Sequence, residues 1–358
     1  MRKLELSSVT EAGVPGPTAV PAARLNSLDA LRGLAVGMVV CCHLLGMNGH
    51  FAPQTRGLTD ALASSGITLF FVVSGFVIPY AMHRSGYVLR DYGRFLWKRL
   101  LRLHPPYIAA IGIILGLNYA SSLAPGFRGQ PFQVDFGFLL EHFVFLNAFL
   151  SGTWYCDVFW TLAVEFQWYL FIGLVLPLVA ARRAGVRLAS LALIACLPFA
   201  AYPGLLFFHW LFPFLFGLAA FQFKVNLLSP KEFLAMLLPL AAAGSIANNP
   251  FVTAMSAITA CAIAFASIRS VGLTWLGTIS YSLYLLHVPL GVRVINLSER
   301  FPQTLVVKTA AFIMGAAASL AGSYLLWKLV ERPAQAWSSR VVYPGGNRPA
   351  LSQKLPAV

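Results

Sequence analysis

The sequence predicts an all-α, polytopic integral membrane fold of about ten transmembrane helices with both termini cytosolic. Three observations predict it. Of 358 residues, 58% are hydrophobic and 11% charged, with a mean hydropathy of +0.73, whereas a soluble domain carries about 25% charged residues. One soluble core cannot hide so much apolar surface, so lipid must cover it. Second, the apolar residues fall in segments near the length that crosses a bilayer. Third, 21 of the 26 Lys and Arg lie where ten spans from a cytosolic N-terminus leave the chain in the cytosol. That asymmetry is what the positive-inside tendency demands.

In chain order, residues 1–27 hold no apolar core of the signal-peptide kind and read as a flexible cytosolic tail. The first helix is then an uncleaved anchor. The membrane domain, 28–335, has candidate spans at 28–47, 67–82, 106–123, 158–181, 188–201, 205–222, 233–247, 251–268, 273–294 and 305–328. The fifth and seventh are the shortest. Residues 136–150 are apolar but carry Glu141 and His142, which suits an interfacial or re-entrant helix better than an eleventh span. Pro105-Pro106 and Asn248-Asn249-Pro250 mark span boundaries. Residues 336–358 read as a cytosolic C-terminal tail, and 339–358 as disordered.

The cytosolic cations are four through Arg32, six in 83–105, three in 182–187, Lys224, Lys231 and Arg269, and five at the C-terminal end. Only Arg56, Arg128, Arg293, Arg300 and Lys308 fall outside. The net charge of +14 is therefore a charge of loops. It argues against nucleic acid as a partner and suits anionic lipid or an anionic cytosolic substrate. Cys41, Cys42, Cys156, Cys196 and Cys261 show no CxxC spacing, so neither a disulfide framework nor a zinc site is indicated.

Ionisable groups in lipid are costly, so each one inside a span is a functional candidate. Arg32 and His43, eleven residues apart, share one helix face at about 16 Å of rise, with Asp29, Val36 and Val39 between or beside them. Arg32 also suits a snorkelling anchor, and His43 a packing contact. Glu165 lies about 10 Å into the fourth span, with Thr161 and Trp168 or Tyr169 on its face. A lone carboxylate there is paired with a base, kept protonated, or bonded between helices. Ser280, Tyr284 and His287 form a polar stripe that fits either a site or helix-to-helix bonding, and Ser74-Gly75 fits either a site or close packing. Arg99 and Arg102 read as neighbours in the cytosolic loop before the third span. Their spacing suits bidentate phosphate recognition or lipid-headgroup anchoring alike.

These separated motifs resemble the acyltransferase 3 family of membrane-bound acyltransferases. Arg32 and His43 reproduce its R-x10-H element. Phe70-Phe-Val-Val-Ser-Gly75 is similar to its second-span motif, and Arg99-x-x-Arg102 with Pro105 to its cytosolic loop motif. Trp160-Thr-Leu-Ala-Val-Glu165 resembles its WSLxVE element, the 276–289 run its LGxISYSLYLxHxP, and Glu331-Arg-Pro333 its terminal E-x-P. Thr161 and Ala163 replace the usual serines, and His104 the usual aromatic.

The resemblance implies an acyl-CoA donor, acetyl-CoA above all, as co-substrate, with no permanently bound cofactor and no metal. It also implies a carbohydrate hydroxyl of the cell envelope as acceptor, or a macrolide-like small molecule in some members. Others carry a fused extracytoplasmic hydrolase-like domain, for which this chain has no residues left. His43 is then expected as general base, with a transient acyl-histidine as the variant. Glu165 would orient or charge-balance a histidine, and Arg32 would hold the thioester or its phosphates. Arg99 and Arg102 would dock the coenzyme, and His287, Tyr284 and Ser74 would line the acceptor side. The expected location is the inner (cytoplasmic) membrane, multi-pass. The rivals from other classes are a proton-coupled secondary transporter of an anionic solute and a non-catalytic membrane scaffold.

Overall fold

The computed structural model describes residues 22–46, 51, 55–125, 132–150, 152–200 and 206–344, and no strand occurs among them. The predicted tail before residue 22 and the C-terminal stretch from 345 lie outside the described residues. The helices are α1 (Ala22–Gly46), α2 (Arg56–Arg84), α3 (Tyr92–Ser122), α4 (Phe136–Phe143), α5 (Trp160–Val179), α6 (Ala184–Cys196), α7 (Leu206–His209) and α8 (Leu211–Lys224). Next come α9 (Pro230–Ala247), α10 (Pro250–Phe265), α11 (Val271–Thr278), α12 (Ser280–Leu286), α13 (Arg293–Ser298), α14 (Leu305–Leu326) and α15 (Arg332–Ser339). A π turn at His287–Val292 joins α12 to α13, and another at Trp327–Glu331 joins α14 to α15.

The described residues of each of the ten predicted apolar segments lie mostly on helix, but the helices do not all reach the length of a span. Among the described residues six helices are long and apolar enough to cross a membrane, or seven if the pair 271–278 and 280–298, bent by 65°, is one span. Three expected spans are shorter apolar helices, Ala184–Phe199, Leu211–Lys224 and Pro250–Phe265. At 1.5 Å per residue, these stop short of the roughly 30 Å hydrocarbon layer. The 136–150 stretch yields only the eight residues of α4, far too few to cross.

Local chemistry explains several boundaries. Ser229 caps α9 and Glu232 reaches back to close a capping box, with Pro230 in the first turn. Asn249 caps α10 at Val252 N, 2.8 Å, so the Asn-Asn-Pro boundary is a helix start, as predicted.

Pro105-Pro106 is not a boundary. Both prolines lie inside α3, which begins at Tyr92 rather than at 106. Each removes one N–H from the ladder, and Tyr281 Oη donates to the Leu103 carbonyl from α12 at 2.8 Å. The last span likewise overruns its expected end, since one helical stretch runs from Leu305 to Ser339. The expected tail from 336 starts on α15, which packs on α3. Ser338 Oγ donates to Lys98 O (3.0 Å), Lys98 Nζ to Val341 O (3.2 Å), and Tyr343 is buried against Tyr87.

Close packing depends on glycine pairs, because lipid tails are as apolar as the side chains and offer little drive for association. On α2 a Cβ at Gly75 would strike the Phe214 backbone of α8, and one at Gly217 would strike the Val72 backbone. Gly33 and Gly277 join α1 to α11 in the same way, each against the other helix's carbonyls. Elsewhere large apolar side chains such as Val306, Ile313 and Met314 on α14 point outward, where lipid would cover them. Gly75→Ala and Gly217→Ala should each destabilise the protein by about 1–3 kcal/mol, as overpacking does. Thermal unfolding of detergent-solubilised protein would read this, with Gly112→Ala as control, since a Cβ there meets nothing within 4 Å.

Candidate active site

Five helices wall one cavity. Asp29 and Arg32 come from α1, Ser74 from α2, Arg99 and Arg102 from α3, Thr161, Glu165 and Tyr169 from α5, and Ser280, Tyr281 and Tyr284 from α12. Because α3 starts early, Arg99 and Arg102 are not loop residues facing water, as the sequence suggested. Arg99 is only 6% exposed. Its guanidinium lies over the Phe95 and Tyr169 rings at 5.6 and 5.8 Å to centroid, a contact favourable to a desolvated cation. Arg32 is 4.0 Å from Asp29 one turn away.

Three guanidiniums in a low-dielectric cavity require counter-charge. Asp29 and Glu165 supply part of it in the wall. Glu331 supplies more from behind. Its Oε2 accepts from Ser282 N (3.1 Å) and Ser282 Oγ (2.5 Å), and its Oε1 from Gln335 Nε2 (2.9 Å). It is 2% exposed and lies in electrostatic reach of Arg102 and Arg32. Sequence reasoning recognised Glu331 only as part of a motif. The predicted last span ended at 328, which put Glu331 outside the membrane and beyond the intramembrane charges considered. Its place in the E-x-P motif was the signal that could have found it.

Among the described residues no hydrogen bond or ion pair joins Glu165 to a histidine. Ser74 Oγ donates to its Oε1 at 2.6 Å. Gly75 takes the close-packing role and Ser74 the polar one, so both readings of Ser74-Gly75 hold, one residue apart. Ser74 and Tyr284 share the cavity of the three arginines.

The two histidines meet beyond this cavity and line no part of it. His287 Nε2 lies 3.2 Å from His43 Nδ1. Their surroundings assign the tautomers. His287 Nδ1 is 3.0 Å from Leu283 O and 2.9 Å from Tyr284 O. Carbonyls only accept, so Nδ1 carries the proton and Nε2 a lone pair. His43 Nδ1 is 2.8 Å from Val39 O, so it too is protonated and shares its N–H between Val39 and His287. The lone pair of His43 is left on Nε2, on a ring that stays partly accessible while His287 is fully buried. Cys42 Sγ, 3.3 Å from His43 Nδ1, therefore faces a donor and is not activated by it.

Tyr284 connects the two parts. Its hydroxyl is 2.5 Å from Thr161 Oγ1 and donates to Val158 O at 2.9 Å, and its ring centroid is 5.8 Å from that of His287. On the face of α1 that carries Arg32 and His43, Val36 and Val39 are buried in one cluster with Leu283 and Tyr284. The π turn begins at His287 itself and contains Pro289. Such turns recur at functional sites. Here Ser319 Oγ, 3.3 Å from the His287 carbonyl and 2.8 Å from Gly315 O, meets the widened backbone from α14.

This constellation sets a cavity with three guanidiniums and two wall carboxylates near an imidazole whose lone pair lies on Nε2. No group of three or more His, Cys, Asp or Glu able to hold a metal ion occurs among the described residues.

No solved structure matches the chain. A protein of Komagataeibacter xylinus, named as a membrane-bound transacylase (BcsY), is 26% identical over 183 residues, which are 46% of this chain and 41% of that relative. The match thus spans about two fifths of the relative's length. The family model described as an acyltransferase domain matches residues 25–328, a range that holds both histidines, the three arginines and Glu165. That match covers most of the chain, which has a helical, membrane-type architecture, and the chain belongs to the acyltransferase 3 family.

Proposed function

We propose that the protein transfers an acyl group, acetyl first, from acyl-CoA to a hydroxyl of a cell-envelope carbohydrate, as a multi-pass protein of the cytoplasmic membrane with ten membrane-embedded segments and both termini cytosolic. The observation that carries this reading is the oriented histidine pair beside the basic cavity. Arg99 and Arg102, with Arg32 behind them, offer planar donors to the phosphates and thioester end of the donor, and the apolar remainder of the cavity suits an acyl-pantetheine arm.

His43 Nε2 takes the proton from the attacking hydroxyl. The oxygen adds to the thioester carbonyl, the C–S bond breaks, and coenzyme A leaves with the proton that balances its thiolate. His287 accepts from His43 Nδ1–H and so keeps the lone pair on Nε2. A positioned base of this kind contributes roughly 10²–10⁴-fold. Glu165, bonded to Ser74, stands as counter-charge to the arginines rather than as partner to a base.

Three outcomes test the reading. His43→Gln should reduce base-releasable acetate in envelope carbohydrate by roughly 10²–10⁴-fold at near wild-type protein abundance. A well-expressed, active His43→Gln protein would make the histidine structural. His287→Gln should retain a measurable part of the activity that His287→Ala loses, because its amide oxygen can accept from His43 Nδ1. Equal inactivity of the two would mean that His287 transfers protons itself. Arg99→Ala with Arg102→Ala should raise KM for acetyl-CoA more than it lowers kcat, since binding to ground and transition states is lost alike. Because these side chains face a cavity instead of bulk water, the penalty should change little between low and moderate salt. A fall in kcat at unchanged KM would remove them from donor binding.

A further inference from the structure

A second cavity lies against the π turn that begins at His287 and shares no wall residue with the basic one. The groups that matter in it are Asn118 of α3, Tyr155 and Asp157 before α5, Pro289 of the π turn, and Arg293 and Asn296 of α13. Its π-turn wall belongs to the histidine pair, since Val288 and Val292 pack in one cluster with Val40 and Leu44, which flank His43 on α1. Asp157 is in electrostatic reach of His43.

The chemistry differs from that of the first cavity. One carboxylate and one guanidinium cancel, and the remaining polar groups are two amides and a phenol. Arg293 is built into the wall. Its Nη1 donates to Ser121 Oγ at 2.9 Å and its Nη2 to Asn118 Oδ1 at 2.5 Å, which turns the Asn118 amide into a donor. Arg293 Nε is buried and meets no acceptor among the described residues, a donor that a ligand oxygen would satisfy. His142 holds the loop rigid from the other side, its Nε2 accepting from Tyr155 N at 3.0 Å. A neutral site that mixes a carboxylate acceptor, amide donors and an aromatic ring is complementary to neighbouring hydroxyls, each of which donates and accepts. With one guanidinium set against Asp157 it offers a polyanion less than the first cavity, where three guanidiniums face two wall carboxylates.

We infer that this second cavity is the acceptor subsite and that it holds a neutral, polyhydroxylated ligand, a sugar, with one hydroxyl directed at His43. Asp157, Asn118 and Asn296 hold the neighbouring hydroxyls, and Arg293 fixes the wall. The inference rests on the acyl-transfer reading. It places donor and acceptor in separate cavities, with Tyr284 and Thr161 in the wall of the donor side.

The test uses the full chain in cells and in lipid nanodiscs. Asn296→Trp, at an exposed position where bulk fills the cavity and not the core, and Asp157→Asn should each lower base-releasable acetate in envelope carbohydrate about tenfold or more. Acetyl-CoA binding to the purified protein should stay within about twofold of wild type. Asn296→Ser, which removes the amide without adding bulk, decides the matter if the Trp variant fails to accumulate. Unchanged acetate, or acetyl-CoA binding that weakens in parallel, would overturn the assignment. His43→Gln, measured alongside, separates the two levels. If it loses transfer while the cavity variants keep it, only the subsite is wrong, whereas transfer that survives in all of them refutes the acyl-transfer reading itself.

Discussion

Where lipid replaces water, every buried charge must be answered by protein, and in this molecule the heaviest demand comes from three guanidiniums brought to one cavity. Arg32, Arg99 and Arg102 approach one another from two helices. Their mutual repulsion is tolerable only because Asp29, Glu165 and Glu331 stand among them. The anchoring of Glu331 then dictates much else. Its bonds to the Ser282 backbone and hydroxyl tie the end of the α14 stretch to α12, five residues before His287. The same stretch continues through α15 onto α3, where Ser338 meets Lys98 beside Arg99. One carboxylate thus links the helices that carry two of the arginines and the buried histidine.

The two π turns lie at the chemically significant points of these helices, one starting at His287 and one ending at Glu331. A π turn widens the helix and rotates the residues beyond it, at the expense of regular backbone bonding. At the first, Ser319 Oγ shares its one proton between Gly315 O at 2.8 Å and the His287 carbonyl at 3.3 Å. That a π turn coincides with a polar side chain at both points fits a fold whose regular helical bonding yields to its site. The glycine contacts at Gly75 and Gly217, and at Gly33 and Gly277, are the complement of this arrangement. They draw α2 to α8 and α1 to α11 until only backbone separates them, and so hold Ser74 and Arg32 where the cavity needs them.

How much of this was legible depends on how local the controlling physics is. The apolar segments, the asymmetry of Lys and Arg, the common face of Arg32 and His43, and the stripe of Ser280, Tyr284 and His287 follow from window hydropathy and helical period. The described residues of these predicted segments lie mostly on helix, and the two polar faces are those turned to the site. Span length was less legible, because hydropathy does not reveal where a helix stops when its end is covered by protein. α3 runs on through Pro105-Pro106, which local sequence marks as a boundary, and packs there against Tyr281, far along the chain.

The sequence by itself determined that this is a helical membrane protein, which segments are apolar, and which few ionisable residues lie among them. Only the tertiary structure decided what those residues bond to. Ser74 meets Glu165 across 91 positions, Ser282 meets Glu331 across 49, and His43 meets His287 across 244. Burial in lipid makes a partner necessary for each polar group, but helix packing chooses it. Because packing depends on backbone approach at a few glycines and on the reach of individual side chains, the pairing of Glu165 with Ser74 and the lone pair left on His43 Nε2 lay beyond any reading of the chain one window at a time.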